Sequence, residues 1–366
     1  MLPKIAVIIP VYNGRDYLPD CLNSLKEQTL SPAQIIVVDN ASIDGSQELL
    51  AKFKIQNSKL KIIRNNANFG FAKACNQGIE EAIKNGADYV FLLNQDTVCE
   101  RDCLEKLLSA MENSSSNSRE FGNEKLEQKK QIFAIQPLIL LWNNKNLVQT
   151  SGCRIHFLGF GYSGDYKKNP ESLILNLKSK EIPYSSGAAM FINVKILEEV
   201  GFFDEDFFLY HEDLDLCLRA RFLNYQIVLA PQTIVYHKYI ERILRHRWYW
   251  SERNRQLTLL KFYKWPTLIL IFPCWLLMEC GVLFYSLMTG WLDLKIKSYF
   301  SVLIQLPKTL IKRRRIQKNR KISDRQMSKF LEAKFNFAGV EHPFIKFIAN
   351  PIFSNYWKIL KRIIFW

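Results

Sequence analysis

Four short apolar runs in the first hundred residues constrain the fold of this chain, because each is followed by polar residues and then by a helical pattern or a turn. The runs cover residues 5–9, 34–38, 60–63 and 89–93. Apolar runs of this length that alternate with amphipathic helices are typical of βαβ units in a parallel sheet. Each strand then delivers its following residues to one carboxyl edge, where ligands usually bind. The sequence therefore predicts an α/β fold with one polar site along that edge.

The fourth run ends in three polar residues that are candidates for a metal site. Asn94, Gln95 and Asp96 follow the apolar stretch directly, and Thr97 comes next. A carboxylate beside an amide and a hydroxyl suits a hard divalent cation that carries a phosphate. The alternative is a helix cap, in which Asp96 or Thr97 only accepts hydrogen bonds from backbone N–H groups. These residues alone leave both interpretations open.

A second acidic motif lies far along the chain, at residues 211–219. Helical spacing places Glu212 and Asp213 in the first turn of a helix, where the dipole favours carboxylates. Acidic residues at a helix start are common, so this position alone does not indicate function. The preceding residues, 207–210, are rich in aromatic rings, which would desolvate a carboxylate and raise its basicity. A general base is therefore a candidate role for this motif.

The last third of the chain is strongly basic and contains one long apolar stretch. From Lys238 onward there are 25 Lys and Arg against seven Asp and Glu. Residues 266–288 contain one charged side chain, Glu279, and are long enough to cross the hydrocarbon of a bilayer. A spanning helix, an interfacial helix and a buried helix pair all remain open. With the basic cluster at 312–315, this composition favours an anionic membrane surface over nucleic acid.

Three further features limit the class of protein. The eight cysteines form no CxxC pair, which favours a reduced cytosolic setting over a disulfide framework or a zinc site. The first residues lack the pattern of a secretory signal. Residues 112–130 are predicted to form a surface loop, and the glycines of 159–164 neither follow a clear strand nor open a helix. We therefore reject a dinucleotide-binding fingerprint at 159–164.

Taken together, residues 4–240 resemble the inverting nucleotide-sugar transferases of glycosyltransferase family 2, which have the GT-A fold. The nearest subgroup is the rhamnosyltransferase-like enzymes of bacterial cell-surface polysaccharide synthesis. The segments that carry the resemblance are 7–13, 37–42, Arg64 with 68–72 and Asn76, 92–96, and 210–216 followed by Arg219. Each segment is weak alone, but five in this order over about two-thirds of the chain are specific.

The resemblance implies a role for individual residues at both ends of the site. Residues that would bind the nucleotide-sugar are Pro10, Tyr12, Asp39, Arg64, Asn68, Gly70, Asn76, Asn94 and Gln95. Asp96 and His237 would be ligands of Mg²⁺ or Mn²⁺, with Asn94 standing where the family motif has its first Asp. Asp213 would be the general base, with Asp215 as runner-up. Residues assigned to the acceptor side are Ser186, Gly187 and Glu212.

The sequence therefore predicts two regions, a GT-A domain over 1–240 and a membrane-associated helical region over 241–366. We expect an inverting transferase that moves L-rhamnose from dTDP-rhamnose to a lipid-linked glycan at the cytoplasmic face of the inner membrane, peripheral or monotopic. Leu244 replaces a glutamine that processive synthases carry, which favours a non-processive enzyme. The alternatives are another UDP-, dTDP- or GDP-sugar, a nucleotidyltransferase and a non-catalytic membrane scaffold.

Overall fold

A mixed β-sheet forms the centre of the chain. The computed structural model describes residues 3–53, 59–116, 130–175, 179–239, 245–335, 343 and 345–366. The strands are β1 (Ile5–Val11), β2 (Gln34–Asp39), β3 (Lys59–Arg64), β4 (Tyr89–Leu93), β5 (Thr97–Cys99), β6 (Ile132–Leu141), β7 (Asn144–Thr150), β8 (Cys153–His156), β9 (Gly161–Ser163), β10 (Lys180–Glu181), β11 (Ala189–Asn193), β12 (Gln226–His237) and β13 (Leu331–Glu332).

Helices cover both faces of this sheet and continue beyond it. They are α1 (Leu18–Lys26), α2 (Ser46–Lys52), α3 (Phe71–Lys84), α4 (Cys103–Ser116), α5 (Glu171–Ile174), α6 (Val194–Val200), α7 (Glu212–Phe222), α8 (Arg245–Phe262), α9 (Trp265–Met288), α10 (Leu292–Asn319), α11 (Asp324–Met327) and α12 (Asn350–Ile363). Single turns of 3₁₀ helix occur at Glu205–Phe207 and Ser328–Phe330, and a π-helical segment, Ile345–Ala349, precedes α12.

The large sheet has the strand order β10-β12-β6-β11-β4-β1-β2-β3, with β5 paired to β12 and β7 to β6. β4, β1, β2 and β3 are mutually parallel, which confirms the α/β fold predicted from the four apolar runs. β11 lies antiparallel between β4 and β6, and β12 is parallel to β6. β8, β9 and β13 form a separate small sheet.

The sheet is buried on both faces, so its strands carry apolar residues in succession rather than in alternation. On β1, Val7 packs on the side of α1 and α4, with Leu22 and Leu104. Ile8 faces the other way and packs with Ile79 of α3. Both faces are therefore closed by helices, and polar residues are left to gather at the strand ends.

The C-terminal helices share the core of the sheet domain. Phe262 of α8 and Trp357 of α12 belong to the same buried apolar cluster as Ile8 of β1. The core thus continues across the boundary predicted at residue 240. Within the described residues, α9 is the one helix long and apolar enough to cross a membrane. All eight cysteines are described; they are free thiols, and Cys280 alone is exposed.

One local prediction changes in the structure. The surface loop predicted at 112–130 is wrong at its start, because α4 continues through Ser116, while 117–129 lie outside the described residues.

Strand β12 contains a proline and is irregular there. Its register against β6 shifts between Ala230 and Ile234. That shift absorbs Pro231, which lacks the N–H a regular ladder uses.

Candidate active site at the carboxyl edge of the sheet

Asp96 and His237, 141 residues apart in sequence, meet at one end of the site. The His237 Nε2 atom lies 3.1 Å from the Asp96 Oδ1 atom. Backbone pairing holds them there: Thr97 of β5 is the partner of His237 of β12, and Lys238 N–H donates to the Asp96 carbonyl over 2.8 Å. The two predicted metal ligands are therefore side by side on a rigid element.

The electrostatics at this end keep Asp96 ionised. Burial by itself would raise the pKa of Asp96, but the charge and hydrogen bond of His237, with the charge of Lys238, outweigh burial and lower the pKa. Two buried polar atoms, Asn94 Oδ1 and His237 Nδ1, have no hydrogen-bond partner in the described chain. A polar group buried without a partner costs free energy unless a ligand completes it.

A carboxylate and an imidazole are acceptable ligands for Mg²⁺ or Mn²⁺, so Asp96 and His237 fit the implied cation. The described residues hold no group of three or more His, Cys, Asp or Glu side chains that could together bind a metal ion. This donor set is sparse, because Asn94 replaces an acidic residue of the family motif. It suits a cation that takes most of its oxygen ligands from phosphate and water.

The Gln95 side chain joins the loop after β4 to the loop after β1. Its Oε1 atom accepts a hydrogen bond from Tyr12 N–H over 3.0 Å, and its Nε2 atom donates to the Tyr12 carbonyl over 3.2 Å. The Tyr12 side chain itself is 47% exposed at the end of β1. Gln95 therefore positions the Tyr12 ring at the edge of the site, where a flat ligand could stack on it.

Asp39 and Pro10 lie at the ends of neighbouring parallel strands, both buried. One Asp39 oxygen accepts a hydrogen bond from Ser42 N–H at 3.2 Å and the other from Gln47 Nε2 at 2.8 Å. Gln47, on α2, was not found by sequence reasoning, because one amide residue on a short helix gives no signal. The Gln47 amide therefore bonds to the same carboxylate, Asp39, that we predict to bind the base of the nucleotide.

The loop after β3 carries three predicted binding residues, of which two shape the backbone. Arg64 ends β3 with an exposed side chain, level with Asp39 of β2. Asn68 Oδ1 accepts a hydrogen bond from Gly70 N–H over 2.9 Å. Gly70 has φ of +87°, and a Cβ atom there would lie 2.5 Å from the Phe208 carbonyl oxygen. Only glycine fits this close approach of two loops.

Asn76, predicted to bind the nucleotide-sugar, bonds to the segment 203–205 in the structure. Its side chain is buried, its Nδ2 donates to the Phe203 carbonyl at 3.0 Å, and its Oδ1 accepts from Phe203 N–H at 2.9 Å. A third bond joins Nδ2 to Glu205 at 3.1 Å. With its amide engaged in this way, Asn76 fixes the segment that leads to the second acidic motif.

Asp213 forms the other end of the site. Its Oδ2 atom accepts a hydrogen bond from Gly187 N–H over 3.0 Å, and its Oδ1 atom accepts from Leu214 N–H over 2.7 Å. Burial raises the pKa of the Asp213 carboxyl, although both amide donors act in the opposite direction. A carboxylate of raised basicity, held at a helix N-terminus, is suited to accept a proton.

The segment 186–188 connects the two ends of the site. Gly187 bonds to Asp213, and the next residue, Ala188, accepts a hydrogen bond at its carbonyl from Asn94 N–H over 2.9 Å. Ser186 Oγ accepts from Ala188 N–H at 3.3 Å, which tightens this turn. Two adjacent residues of this turn thus link the predicted base, Asp213, to the predicted donor-binding residue, Asn94. Asn94 and Asp213 are nevertheless remote in sequence.

Glu212 and Asp215, the two other acids of this motif, are both buried. Glu212, predicted on the acceptor side, has a buried side chain, and burial with the charge of Asp213 raises its pKa well above the ordinary value. Asp215, the runner-up base, is fully buried and pairs with Arg219 at 2.9 Å and with Lys261. Of these three acids, Asp213 alone is only half-buried, and it stays the predicted general base.

The loop before Asp213 is strained and is held from α8. Phe208, Tyr210 and His211 have φ of +42°, +66° and +67°, a region that residues other than glycine seldom adopt. Asn254 Nδ2 donates to the carbonyls of residues 207, 209 and 210 at 3.0, 2.9 and 2.7 Å. Trp250 stacks on Phe208 with ring centroids 4.7 Å apart. Sequence reasoning did not find this support, because its residues lie some 40 positions away.

Comparison with known proteins identifies the family and the fold. The family model described as "Glycosyl transferase family 2" matches residues 6–201. Glycosyltransferase GlyG of Streptococcus pneumoniae serotype 4 is 27% identical over 117 residues, covering 32% of this chain and 38% of GlyG. Poly-beta-1,6-N-acetyl-D-glucosamine synthase of Staphylococcus epidermidis is 24% identical over 268 residues, covering 72% of this chain and 57% of the synthase.

Among solved structures, the crystal structure of GalNAc-T7 with UDP, GalNAc and Mn²⁺ matches with a TM-score of 0.57 at 17% identity. The match covers 72% of this chain and 49% of GalNAc-T7. At this identity the likeness concerns the fold, and it confirms the predicted GT-A architecture. The chain spans less than two-thirds of the length of each of these relatives.

Proposed function

This chain belongs to glycosyltransferase family 2, and from that premise we propose that it transfers a sugar from a nucleoside diphosphate to an acceptor hydroxyl with inversion. The observation that carries the proposal is the turn at 186–188, which bonds to Asp213 on one side and to Asn94 on the other. A single displacement needs a base and a charge-stabilising group on opposite sides of the anomeric carbon. The fold supplies one candidate for each.

At the base end, ionised Asp213 accepts the proton of the acceptor hydroxyl. The hydroxyl oxygen forms a bond to the anomeric carbon while the bond from that carbon to the diphosphate oxygen breaks, so the configuration inverts. The amide of Gly187 holds one carboxylate oxygen, and burial keeps the carboxyl basic. Asp213 is then regenerated when it releases its proton to water.

At the donor end, Asp96 and His237 would hold Mg²⁺ or Mn²⁺. The crystal structure of GalNAc-T7 with UDP, GalNAc and Mn²⁺ supports a divalent cation. When bound, the cation neutralises charge on the departing diphosphate. Asp96 is kept ionised and oriented by His237, while Gln95 fixes Tyr12 beside the nucleotide. Arg64, Asp39 and its partner Gln47 would contact the nucleotide.

The best candidate donor is dTDP-rhamnose, and another UDP-, dTDP- or GDP-sugar is the alternative. The acceptor would be a lipid-linked glycan of cell-surface polysaccharide synthesis, and the named activity of the S. epidermidis relative supports a polysaccharide role. A lipid-linked acceptor places the enzyme at the cytoplasmic face of the membrane, where the basic C-terminal region would meet anionic lipids.

A thermal-shift panel of nucleoside diphosphate sugars, each with and without Mn²⁺, tests this function. We expect stabilisation by one nucleotide class that increases with Mn²⁺, because a ligand that binds only the folded state raises its stability. The matched control is Asp96→Asn, which should lose the Mn²⁺-dependent part of the shift. The absence of a shift with every donor would contradict the proposal.

A further inference from the structure

Helices α9, α10 and α12 together leave a broad apolar surface uncovered. On α9 the exposed side chains include Ile269, Phe272, Leu276 and Phe284, and Ile269 is 71% exposed. These positions recur every three or four residues, so they form one stripe along the helix. An apolar surface of this extent on a folded chain marks a site that something else covers. We call it the outer face.

One exposed side of α10 changes from apolar to basic along the helix. Ile304 is 79% exposed and Ile311 is 72% exposed. The next turns on that side carry Arg314, Arg315 and Lys318, all exposed. A helix side that passes from aliphatic to cationic residues matches the boundary between acyl chains and anionic head groups. A protein partner or a second copy would need acidic groups at that end.

A cleft of about 500 Å³ lies at this junction, between the start of α9 and α10. Its walls combine apolar residues, Trp265 and Leu310, with the cations Lys264, Arg313 and Arg314. The Arg313 guanidinium lies 4.2 Å from the centre of the Trp265 ring. Tryptophan and cationic side chains are typical of the protein surface that lies at the level of lipid head groups.

Side chains on the other side of α9 contact α8 at three positions from the middle of α9 onward. Trp275 Nε1 donates to Gln256 Oε1 over 2.9 Å, and Gln256 Nε2 donates to Glu279 over 2.8 Å. Near the far end of α9, Trp248 packs edge-on against Tyr285 at 6.1 Å. Helices α8 and α9 therefore run antiparallel in contact.

Glu279, the one charged residue of the apolar stretch, is buried in an ion network rather than exposed to lipid. It pairs with Arg255 of α8 and, at 2.7 Å, with Lys295 of α10. Glu252 closes the network by pairing with Arg255 at 2.8 Å. These charges satisfy one another inside the protein, so they do not oppose contact of the outer face with lipid.

These contacts argue against a spanning α9. Helix α8 also carries Asn254 and Trp250, which hold the loop before Asp213. A spanning α9 would therefore draw α8, its ion network and that loop into hydrocarbon, where irregular backbone and polar side chains are costly.

We propose that α9 lies in the plane of an anionic lipid surface, with the exposed sides of α10 and α12 beside it, so that the chain is monotopic. This seating rests on the membrane association proposed above and specifies its geometry. The outer face enters the outermost acyl layer, and Arg314, Arg315 and Lys318 contact the head groups. The Asp213 loop is thereby held, through α8, at a fixed distance from the membrane surface.

Cys280 offers a direct test, because it is the exposed cysteine, lies on the α9 stripe and is about 5 Å from the middle of the helix. The full chain is labelled at Cys280 with an environment-sensitive fluorophore and mixed with phosphatidylcholine and phosphatidylglycerol vesicles. Doxyl quenchers are placed either near the head group or near the acyl terminus. We expect a blue shift and stronger quenching by the shallow quencher.

Stronger quenching by the deep quencher would overturn the proposal, since a spanning α9 puts Cys280 near the bilayer centre. A blue shift without lipid, accompanied by a doubled mass in light scattering, would overturn it in favour of a second copy on the outer face. These readouts use no sugar donor, so a failed transfer reaction and a failed membrane seating are distinguished.

Variants supply the matched comparison. Ile304→Glu should weaken vesicle binding, whereas Leu175→Glu, at a 79% exposed leucine outside the outer face, should not. Arg314→Gln and Arg315→Gln should each lower binding to anionic vesicles about fivefold and leave binding to neutral ones unchanged. A native thermal transition for each variant confirms folding. Equal loss with Leu175→Glu, or no loss with Ile304→Glu, would contradict the assignment of this surface.

Discussion

The two ends of the candidate site are built in different ways. Asp96 and His237 are set by strand pairing, since β5 and β12 place them next to each other through main-chain bonds. Asp213 follows a loop with three left-handed residues that are not glycine, and that loop is held by Asn254 of α8. The donor end is thus a property of the sheet, and the base end depends on a distant helix.

This difference assigns separate tasks to the two parts of the chain. A sheet edge keeps a cation-binding pair in place whatever the C-terminal helices do. The loop before Asp213 is held by α8. The position of α8, and with it the position of the outer face, therefore determines where the Asp213 carboxylate lies. Changes in α8 should therefore affect turnover more than donor binding.

The largest effect is expected for Asp213→Asn. Removal of the general base should lower kcat by about 10²–10⁴-fold, because the acceptor hydroxyl loses its proton acceptor. Steady-state kinetics with donor and acceptor measure this. In the unaltered protein, turnover should decrease as pH decreases through the raised pKa of Asp213. The control is Glu212→Gln, an acid-to-amide change one residue away, which should keep most activity.

A smaller effect is expected for Asn254→Ala, which removes three hydrogen bonds from the strained loop. The buried carbonyls lose their donor, so we expect a stability loss of about 1–3 kcal/mol and a kcat that falls while the donor KM stays constant. Asn76→Ala is the matched control, since it also removes buried amide bonds to a loop. It should lower the melting temperature with little effect on kcat. An equal loss of kcat in Asn254→Ala and Asn76→Ala would show that the contact with α8 has no specific effect on turnover.

The smallest effect is a gain in stability for Glu212→Gln. The pKa of Glu212 is raised in the folded protein, so the folded state binds a proton that the unfolded state has released above about pH 4.5, its ordinary value. Stability of the unaltered protein therefore falls as pH rises between these two pKa values. The amide of Glu212→Gln does not titrate, so the variant avoids this loss of stability. Thermal melts should show a gain of about 2–4 °C for each kcal/mol recovered, larger at pH 8 than at pH 5.

The sequence predicts the parallel sheet that carries the donor end, because this sheet follows from local pattern. The apolar runs 5–9, 34–38, 60–63 and 89–93 lie in β1, β2, β3 and β4, and parallel pairing places the residues that follow them on one edge. His237 could be proposed only through the family resemblance, and its neighbour Asp96 confirms that the two lie together. Its position depends on β12 reaching across the sheet, which no local period encodes.

The base end could be located but not explained from sequence. Helical spacing placed Glu212 and Asp213 correctly in the first turn of α7. Which acid is accessible depends on burial, and on ion pairs such as that of Asp215 with Lys261, 46 residues away. The same holds for Glu279, the charged residue of the apolar helix, which in the sequence suggested an imperfect span. In the structure its charge is paired with residues of two other helices, α8 and α10.

Calorimetric titration of the nucleoside diphosphate, with and without Mn²⁺, into the unaltered protein, Asp96→Asn and Asp213→Asn tests the separation of the two ends most directly. We predict that Asp213→Asn binds as the unaltered protein does, whereas Asp96→Asn loses the Mn²⁺-dependent part of its affinity, about tenfold or more. Loss of nucleotide binding in Asp213→Asn, or retention of the Mn²⁺ effect in Asp96→Asn, would contradict the assignment of donor and base ends.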